Sequence, residues 1–171
     1  MGMMDILGRY AEGRRPPMPP PEVEHDFEEV AHEAGPDAMQ DGIAEAFRSD
    51  ETPPFEEMVA HLFDRSEPHV RAGLLDNLLA GLNPSPHGTN ARGALNDVWR
   101  RYAAGARVDP DRAAVVNGSE VQEVARQARK QNPGVLERVS RFYARHPEIV
   151  RSLGQVAMSI ALSKMARRTQ H

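Results

Sequence analysis

The sequence predicts an all-α protein with two small modules of short amphipathic helices, joined by a linker and preceded by a proline-rich N-terminal arm. Apolar residues recur at helical spacing through most of the chain, which is the main signal for α-helices. Fourteen prolines and thirteen glycines among the 171 residues divide these helices into short elements. The chain contains no cysteine, which excludes a disulfide framework, thiolate chemistry and a cysteine zinc site.

The N-terminal arm is assigned to residues 1–21. Its apolar segment is too short to be stable as an isolated helix, so we expect it either to dock on another surface or to stay mobile. Five prolines within residues 16–21 favour a polyproline II spacer. The apolar residues of the arm are Met3, Met4, Ile6, Leu7 and Tyr10.

An acidic helical module is predicted for residues 22–82. Its first helix covers residues 22–33, and a second helix begins at Pro36, since proline is tolerated in the first turn. His25 with Glu29, or Glu28 with His32, has the i and i+4 spacing of a helical pair of metal ligands. In so acidic a stretch, solvated side chains are the favoured interpretation.

The strongest helical pattern of this module lies in residues 52–82, which we interpret as two helices and a tight turn. Apolar residues of the first helix recur at i, i+3, i+4, i+7 and i+8, which places them on one face. Ser66 is the predicted N-cap of the second helix. Neither apolar face is stable in water, so we expect the helices to pack on each other and on a third element. The two faces hold Phe55, Met58, Val59, Leu62 and Phe63, and then Val70, Leu74, Leu75, Leu78 and Leu79.

A helix, a short turn and a second helix also form the outline of a DNA-binding helix-turn-helix. A DNA-binding protein of this kind needs a basic face, because phosphate contacts supply most of its affinity. Residues 52–82 hold five acidic side chains and only two arginines. A structural helical hairpin is therefore the favoured interpretation.

Residues 83–108 are assigned as a linker that carries one helix. Trp99 and Tyr102 lie beside Arg100 and Arg101, a combination that could stack a nucleobase. The helical spacing of these aromatic residues with their apolar neighbours favours core contacts instead.

A basic helical module is predicted for residues 109–171. Asp109 is the predicted cap of its first helix, and Ser119 with Gln122 has the spacing of a capping box. Small residues of the last helix, among them Ala161, permit close helix packing, either inside the domain or between subunits.

Charge is distributed unevenly along the chain. Residues 1–90 contain eighteen acidic and six basic side chains, a net charge of −12. Residues 91–171 contain seven acidic and fifteen basic side chains, a net charge of +8. Such a split predicts either that the halves attract each other or that each has an oppositely charged partner.

The motifs GxSxG, GxGxxG, HExxH and the P-loop are all absent from the sequence. We therefore assign no catalytic, cofactor-binding or metal-binding residues and expect a protein without enzyme activity. The apolar stretches fall short of the ~20 residues that a transmembrane helix needs. The opening MGMMDILGRY is not a convincing signal peptide, and we expect a cytoplasmic protein.

Two stretches of the chain carry a family resemblance: FRSDETPPFEEMVAHLFDRSEPHVRAGLLDNLL and NGSEVQEVARQARKQNPGVLERVSRFYARHPEIVRSLGQVAMSIALSKMA. Together with the opening MGMMDILGRY, they resemble a loose group of uncharacterised bacterial proteins related to the YidB-like family. Many of those proteins have a glycine-rich linker between the two blocks, where this chain has Trp99 and several arginines. The resemblance implies an all-helical bacterial cytoplasmic protein and assigns no catalytic residues.

The first functional hypothesis is a non-enzymatic, self-associating structural or scaffold protein, present as a homo-oligomer. Contact between the acidic half of one subunit and the basic half of the next would be heterologous, and such contacts produce rings or filaments. The residues assigned to self-association are Met3, Met4, Ile6, Leu7, Tyr10, Glu56, Glu57, Arg126, Arg129, Arg138, Arg141 and Arg145.

Two further hypotheses are less favoured. Nucleic-acid binding would use the basic C-terminal half, although the attached acidic module should repel phosphate. Peripheral membrane attachment would use the apolar N-terminal arm and its neighbouring arginines, and a single short segment gives only weak binding. The basic residues of the nucleic-acid hypothesis are Arg126, Arg129, Lys130, Arg138, Arg141 and Arg145.

Overall fold

The computed structural model describes residues 3–8, 23–82 and 93–169; the predicted proline spacer at 16–21 lies outside these ranges. The described part contains eleven α-helices, one short 3-10 helix and no β-strand, which confirms the all-α prediction. The elements are α1 Met3–Gly8, α2 Val23–Glu33, α3 Pro36–Arg48, α4 Phe55–Asp64, α5 Pro68–Leu79, α6 Gly93–Ala103, α7 Pro110–Ala113, α8 Gly118–Gln131, α9 Val135–Tyr143, α10 Pro147–Val150, the 3-10 helix Arg151–Leu153 and α11 Gln155–Thr169.

The helices pack into two compact units, and the first unit combines both ends of the chain. It comprises Met1–Pro54 with Tyr143–His171, whereas the second unit comprises Phe55–Phe142. The predicted modules at 22–82 and 109–171 have different boundaries, and each contributes helices to both units. Periodicity identifies the buried face of a helix but not the element that covers it, so the sequence could not specify this grouping.

Helix α11 is the centre of the first unit, where it packs along α3 and also contacts α2 and α1. Helix α3 approaches α11 closely because Gly42 has no side chain: a Cβ at this position would lie 2.9 Å from the carbonyl oxygen of Ala161. The predicted close packing of Ala161 therefore occurs inside the unit. The largest buried side chains of this unit are Ile6, Phe27, Ile43, Phe47 and Tyr143.

The N-terminal helix docks on its own unit. Helix α1 contacts both α2 and α11, and the side chains of Ile6 and Leu7 are each only 2% exposed. Of the two alternatives drawn from the sequence, docking and mobility, docking holds for α1. Full burial of such a side chain is worth about 1.5–3 kcal/mol, which gives this short helix the stability that it lacks in isolation.

In the second unit, α8 is the main partner of α4, while α5 packs on α7 and α8. Helices α4 and α5 also contact each other, as predicted for the central hairpin, and α8 supplies the third element that their apolar faces require. Trp99 is 3% exposed, which confirms its predicted place in the core. The largest buried side chains of this unit also include Phe55, Leu62, Phe63, Leu74, Leu75 and Leu78.

Helix α8 begins two residues earlier than the predicted capping box implied. Its N-cap is Asn117, whose side chain accepts a hydrogen bond from the Glu120 amide at 2.9 Å, while Glu120 accepts from the Asn117 amide at 3.1 Å. The prediction of Ser119 with Gln122 was wrong because both residue pairs satisfy the capping pattern at the same spacing. Glu120 also accepts from the Leu95 amide at 3.1 Å, which ties the start of α6 to α8.

Two other predicted caps have opposite outcomes. Ser66 does not cap α5, since its hydroxyl donates to the carbonyl oxygen of Leu62 at 2.6 Å and the N-cap position is Glu67. Asp109 does cap α7 by accepting a hydrogen bond from the Asp111 amide at 2.9 Å.

Ion pairs join acidic and basic stretches of the chain inside the first unit. The Arg151 guanidinium lies 3.3 Å from the carboxylate of Glu28 and 3.9 Å from that of Glu24. The Lys164 ammonium lies 3.9 Å from the carboxylate of Glu45. Within this unit, the acidic and basic stretches therefore attract each other, which was the first alternative that the charge split raised.

The two units differ in net charge. The stretches 3–8, 23–54 and 143–169 hold twelve acidic and six basic residues, a net charge of −6. The described stretches 55–82 and 93–142 hold eleven of each and are balanced. The difference in net charge between the two units is therefore smaller than the difference between the two halves of the sequence.

Candidate functional site

A polar groove of about 510 Å³ opens on the surface of the second unit. It lies between the C-terminal half of α5, the end of α6 with the turn that follows, and α9. Its volume is in the range of roughly 300–1,000 Å³ that binding sites occupy, although it is open rather than enclosed. Its lining includes Asp76, Asn77, Tyr102, Gly105, Arg107 and Arg138.

The turn after α6 places Arg107 at this groove. Gly105 has a φ of +100°, in the positive region that glycine adopts without steric cost. The Gly105 amide donates to the carbonyl oxygen of Tyr102 at 2.9 Å, and the Ala106 amide donates to that of Arg101 at 3.0 Å. This pair of bonds is a Schellman end, which stops α6 and redirects the chain toward α5.

Asp76 joins α5 to the same turn. Its Oδ1 accepts a hydrogen bond from the Val108 amide at 3.1 Å, and the Val108 side chain is buried. Burial raises the pKa of Asp76 above its ordinary value of 3.8, while the Val108 hydrogen bond and the charge of Arg107 act to lower it. Asp76 therefore holds the turn in position beside α5, and the turn carries Arg107.

Two guanidinium groups and an aromatic ring determine what the groove can bind. Arg107 comes from the turn and Arg138 from α9, and both side chains are exposed. Tyr102 stacks on the buried Trp99, with ring centroids 6.1 Å apart and an interplanar angle of 24°. Because guanidinium groups present paired donors to carboxylate and phosphate oxygens, the groove suits an anionic group beside a flat surface.

The residues predicted for self-association divide between the two units. Ile6 and Leu7 are buried in the first unit. Arg138 lines the groove of the second unit. Glu57, Arg141 and Arg145 have exposed side chains. The side chains of Met3 and Met4, and the whole of Tyr10, lie outside the described part of the chain.

Arg126 and Arg129, two of the basic residues predicted to meet another subunit, lie close to α4 of their own chain. The hydrogen bond and the charge of Glu123 raise the pKa of Arg126, with a smaller contribution from the charge of Glu56. The Arg129 guanidinium lies 5.6 Å from the centroid of the Phe55 ring. These contacts follow from the packing of α4 on α8.

No local pattern in the sequence identifies Asp76, Asn77 or Arg107 as site residues. Asp76 and Arg107 are more than thirty positions apart, and no local spacing rule connects α5 with the turn after α6. The available signal was Gly105 beside a cluster of arginines, which indicates a turn in a basic region but not the helix that faces it.

The first unit has a smaller cleft of about 190 Å³, lined by Glu28, His32, Pro147, Glu148 and Arg151 among others. The Arg151 side chain of this cleft is paired with carboxylates of α2.

The described residues contain no group of three side chains suited to hold a metal ion. His25 lies 3.2 Å from the carboxylate of Glu29, and both side chains are exposed enough to be solvated. None of the helices in the described ranges combines the length and the apolar character needed to cross a membrane.

Comparison of the chain with protein-family models, with curated proteins and with solved structures finds no match. The structure establishes an all-α protein with two helical units and a groove on the surface of the second unit. The resemblance to YidB-like proteins stays a prediction.

Proposed function

We propose that this chain is a non-enzymatic scaffold protein that self-associates head to tail through charged surfaces. The observation that carries the proposal is the charge of its folded units. The first unit has a net charge of −6 over its described residues, and the second exposes Arg107 and Arg138 in one groove. Opposite charges on different parts of one molecule attract a second copy in a defined orientation.

The composition of the described surface supports a polar contact over an apolar one. Val115 and Val156, with exposures of 69% and 40%, are the large hydrophobic residues exposed in the described part. Obligate homodimers bury extensive apolar area, whereas transient contacts are more polar. We therefore expect an association that weakens as salt screens the charges.

Contact between an acidic surface and a basic groove joins two different surfaces. Such a heterologous contact leaves one acidic surface and one groove unoccupied at the ends of every open oligomer. Growth then continues until the oligomer closes into a ring or extends as a filament.

Light scattering at about 0.02 M and about 0.5 M salt tests the proposal, because the Debye length falls severalfold between these conditions. We expect species larger than the 19.0 kDa chain at low salt that become smaller at high salt. Negative-stain microscopy of the same samples distinguishes rings from filaments. A monomer under all conditions would overturn the proposal.

The resemblance to YidB-like proteins supports placing this function in the bacterial cytoplasm. Fractionation of bacterial cells that produce the tagged full chain tests that location. Recovery of the chain with the membranes, and its release by salt, would instead favour the peripheral membrane hypothesis.

A further inference from the structure

We propose that the polar groove of the second unit is a binding site for a small aromatic carboxylate that also carries a hydroxyl group. The groove offers a surface for each part of such a molecule. Arg107 and Arg138 bind the carboxylate, Asp76 accepts from the hydroxyl group, and Tyr102 contacts the ring. The inference goes beyond self-association and does not rest on it, because the site lies within one chain.

The charged side chains that line the groove are two arginines and one aspartate, a net charge of +1. Arg107 and Arg138 are exposed. Asp76 contributes the negative charge, which interacts with that of Arg107. One carboxylate on a ligand therefore neutralises the groove. A phosphate monoester carries about −1.5 to −2 at neutral pH, so it would leave an excess of negative charge beside Asp76.

Asp76 also supplies the acceptor that selects a hydroxyl group. Its Oδ1 accepts from the Val108 amide at 3.1 Å, and its Oδ2 accepts no hydrogen bond from the described residues. A second carboxylate on the ligand would be repelled by Asp76, whereas a hydroxyl group can donate to it. Because Asp76 and Arg107 interact, we expect the hydroxyl group on the carbon next to the ligand carboxylate.

The remaining lining provides a place for a ring. Tyr102 stacks on Trp99 with ring centroids 6.1 Å apart, and Trp99 is buried, so the Tyr102 ring rests on the core. Ala80 and Ala106 line the same groove. Aromatic rings pair favourably in offset-stacked or edge-to-face contacts, so this lining favours a ligand with a ring over one with an aliphatic chain.

The groove suits one small molecule better than a nucleic-acid strand. Its open volume of about 510 Å³ lies in the range of small-molecule sites. Binding of a strand needs a basic track along its backbone, usually with several stacking platforms. The described residues of the second unit contain equal numbers of acidic and basic side chains, so they provide no such track.

Three matched probes test the site in the full chain. Mandelate has the ring, the hydroxyl group and the carboxylate, whereas phenylacetate lacks the hydroxyl group and mandelamide lacks the charge. We expect mandelate to shift the NMR signals of Asn77, Gly105 and Arg107 with a dissociation constant on the order of 1 mM, as for about ten heavy atoms.

The other two probes should each bind at least roughly 10-fold more weakly, because each lacks a hydrogen bond to a charged group. Absence of these shifts at about 10 mM mandelate, ten times the expected dissociation constant, would overturn the inference. Equal affinity for mandelate and mandelamide would overturn it as well.

Two double variants test the arginines. Arg107→Gln with Arg138→Gln removes the positive charge of the groove, and we expect mandelate to bind roughly 10-fold more weakly or less. Arg65→Gln with Lys130→Gln is the matched control, since it removes two exposed positive charges of the same unit outside the groove. We expect the control to bind like the original chain, and equal melting temperatures show that folding is unchanged. Equal binding by the two variants would overturn the inference.

Asp76→Asn tests recognition of the hydroxyl group. Asparagine can still accept from the Val108 amide but no longer repels a carboxylate. We expect this variant to bind phenylacetate more tightly than the original chain does, and its preference for mandelate over phenylacetate to fall severalfold. An unchanged preference would overturn the role of Asp76.

Light scattering of the original chain separates this inference from the proposed function. A chain that binds mandelate in the groove but never assembles would support the site and overturn self-association. A chain that assembles but does not bind mandelate would overturn the site and leave self-association in place.

Discussion

The guanidinium of Arg71 lies 4.8 Å from the centroid of the Phe63 ring and donates to the carbonyl oxygen of the same residue at 3.0 Å. It also donates to the carbonyl oxygens of Asp64 at 3.2 Å, Ser66 at 3.0 Å and Ala114 at 3.0 Å. The last carbonyl groups of a helix lack intrahelical partners, and a cation there is favoured by the helix dipole. Arg71 therefore closes the end of α4 and connects α5 to the segment that follows α7.

Replacement of Arg71 by lysine should lower the free energy of unfolding by about 2–3 kcal/mol, because an ammonium group cannot reproduce the planar fork of donors. Urea denaturation measures the change. The control is Arg65→Lys, since Arg65 is exposed and its described hydrogen bond is to His61. We expect the control to change stability by less than about 0.5 kcal/mol. Equal effects of both substitutions would contradict the role assigned to Arg71.

Gly42→Ala should destabilise the first unit, even though alanine is the better helix former by about 1 kcal/mol. The new Cβ would lie 2.9 Å from the Ala161 carbonyl oxygen, so α3 and α11 must separate. Such overpacking costs about 1–3 kcal/mol. Gly35→Ala is the comparison, because a Cβ there meets no atom within 4 Å. If thermal unfolding shows that the Gly42→Ala variant is at least as stable as the Gly35→Ala variant, the close contact between Gly42 and Ala161 is refuted.

Asn117→Ala should cost about 1 kcal/mol, the usual loss when an N-cap is removed. Ser119→Ala should change stability much less, because Ser119 is exposed inside the first turn of α8 and is not the cap. Chemical denaturation of the two variants separates the observed capping box from the alternative at Ser119 and Gln122. A larger loss from the serine substitution would mean that α8 starts at the later position.

Asp76→Asn should change the dependence of stability on pH. The pKa of Asp76 is raised in the folded protein, so the folded state binds its proton more tightly than the unfolded state does. The original chain therefore loses stability from this group as the pH rises above 3.8, through the folded-state pKa. Asparagine does not titrate and can still accept from the Val108 amide.

The stability of the Asp76→Asn variant relative to the original chain should accordingly increase between about pH 3.8 and neutrality and then level off. Urea denaturation at a series of pH values measures this difference. A difference that is independent of pH, or one that decreases as the pH rises, would contradict the raised pKa.

Much of the helical content was predictable from local patterns in the sequence. The apolar repeat from Phe55 to Phe63 identified the buried face of α4, and the spacing around Trp99 identified a core residue of α6. Proline at the first turn marked the starts of α3 and α7 correctly. These signals act over one or two helical turns, so they can be recognised without knowing which other elements lie nearby.

The candidate site was far less predictable. Of the residues that line the groove, the sequence assigns Arg138 to self-association and favours a core position for Tyr102 over base stacking. Asp76 and Arg107 meet only because Gly105 ends α6 and the following turn returns to α5. The start of α8 was ambiguous as well, because two overlapping stretches of the sequence match the capping-box pattern. The hydrogen bond between Glu120 and the Leu95 amide joins residues that are far apart in the sequence, so no local pattern reveals it.

By itself the sequence determined the all-α class, the approximate positions of the helices and the buried faces of α4 and α5, because helical periodicity, prolines and glycines act between near neighbours in the chain. Only the tertiary structure decided that both ends of the chain form one unit, that α4 packs on α8, and that Arg107 and Arg138 share a groove. The physical reason is that an apolar face can be covered by any complementary face. The choice among partners depends on close-range shape, as where Gly42 admits the backbone of Ala161.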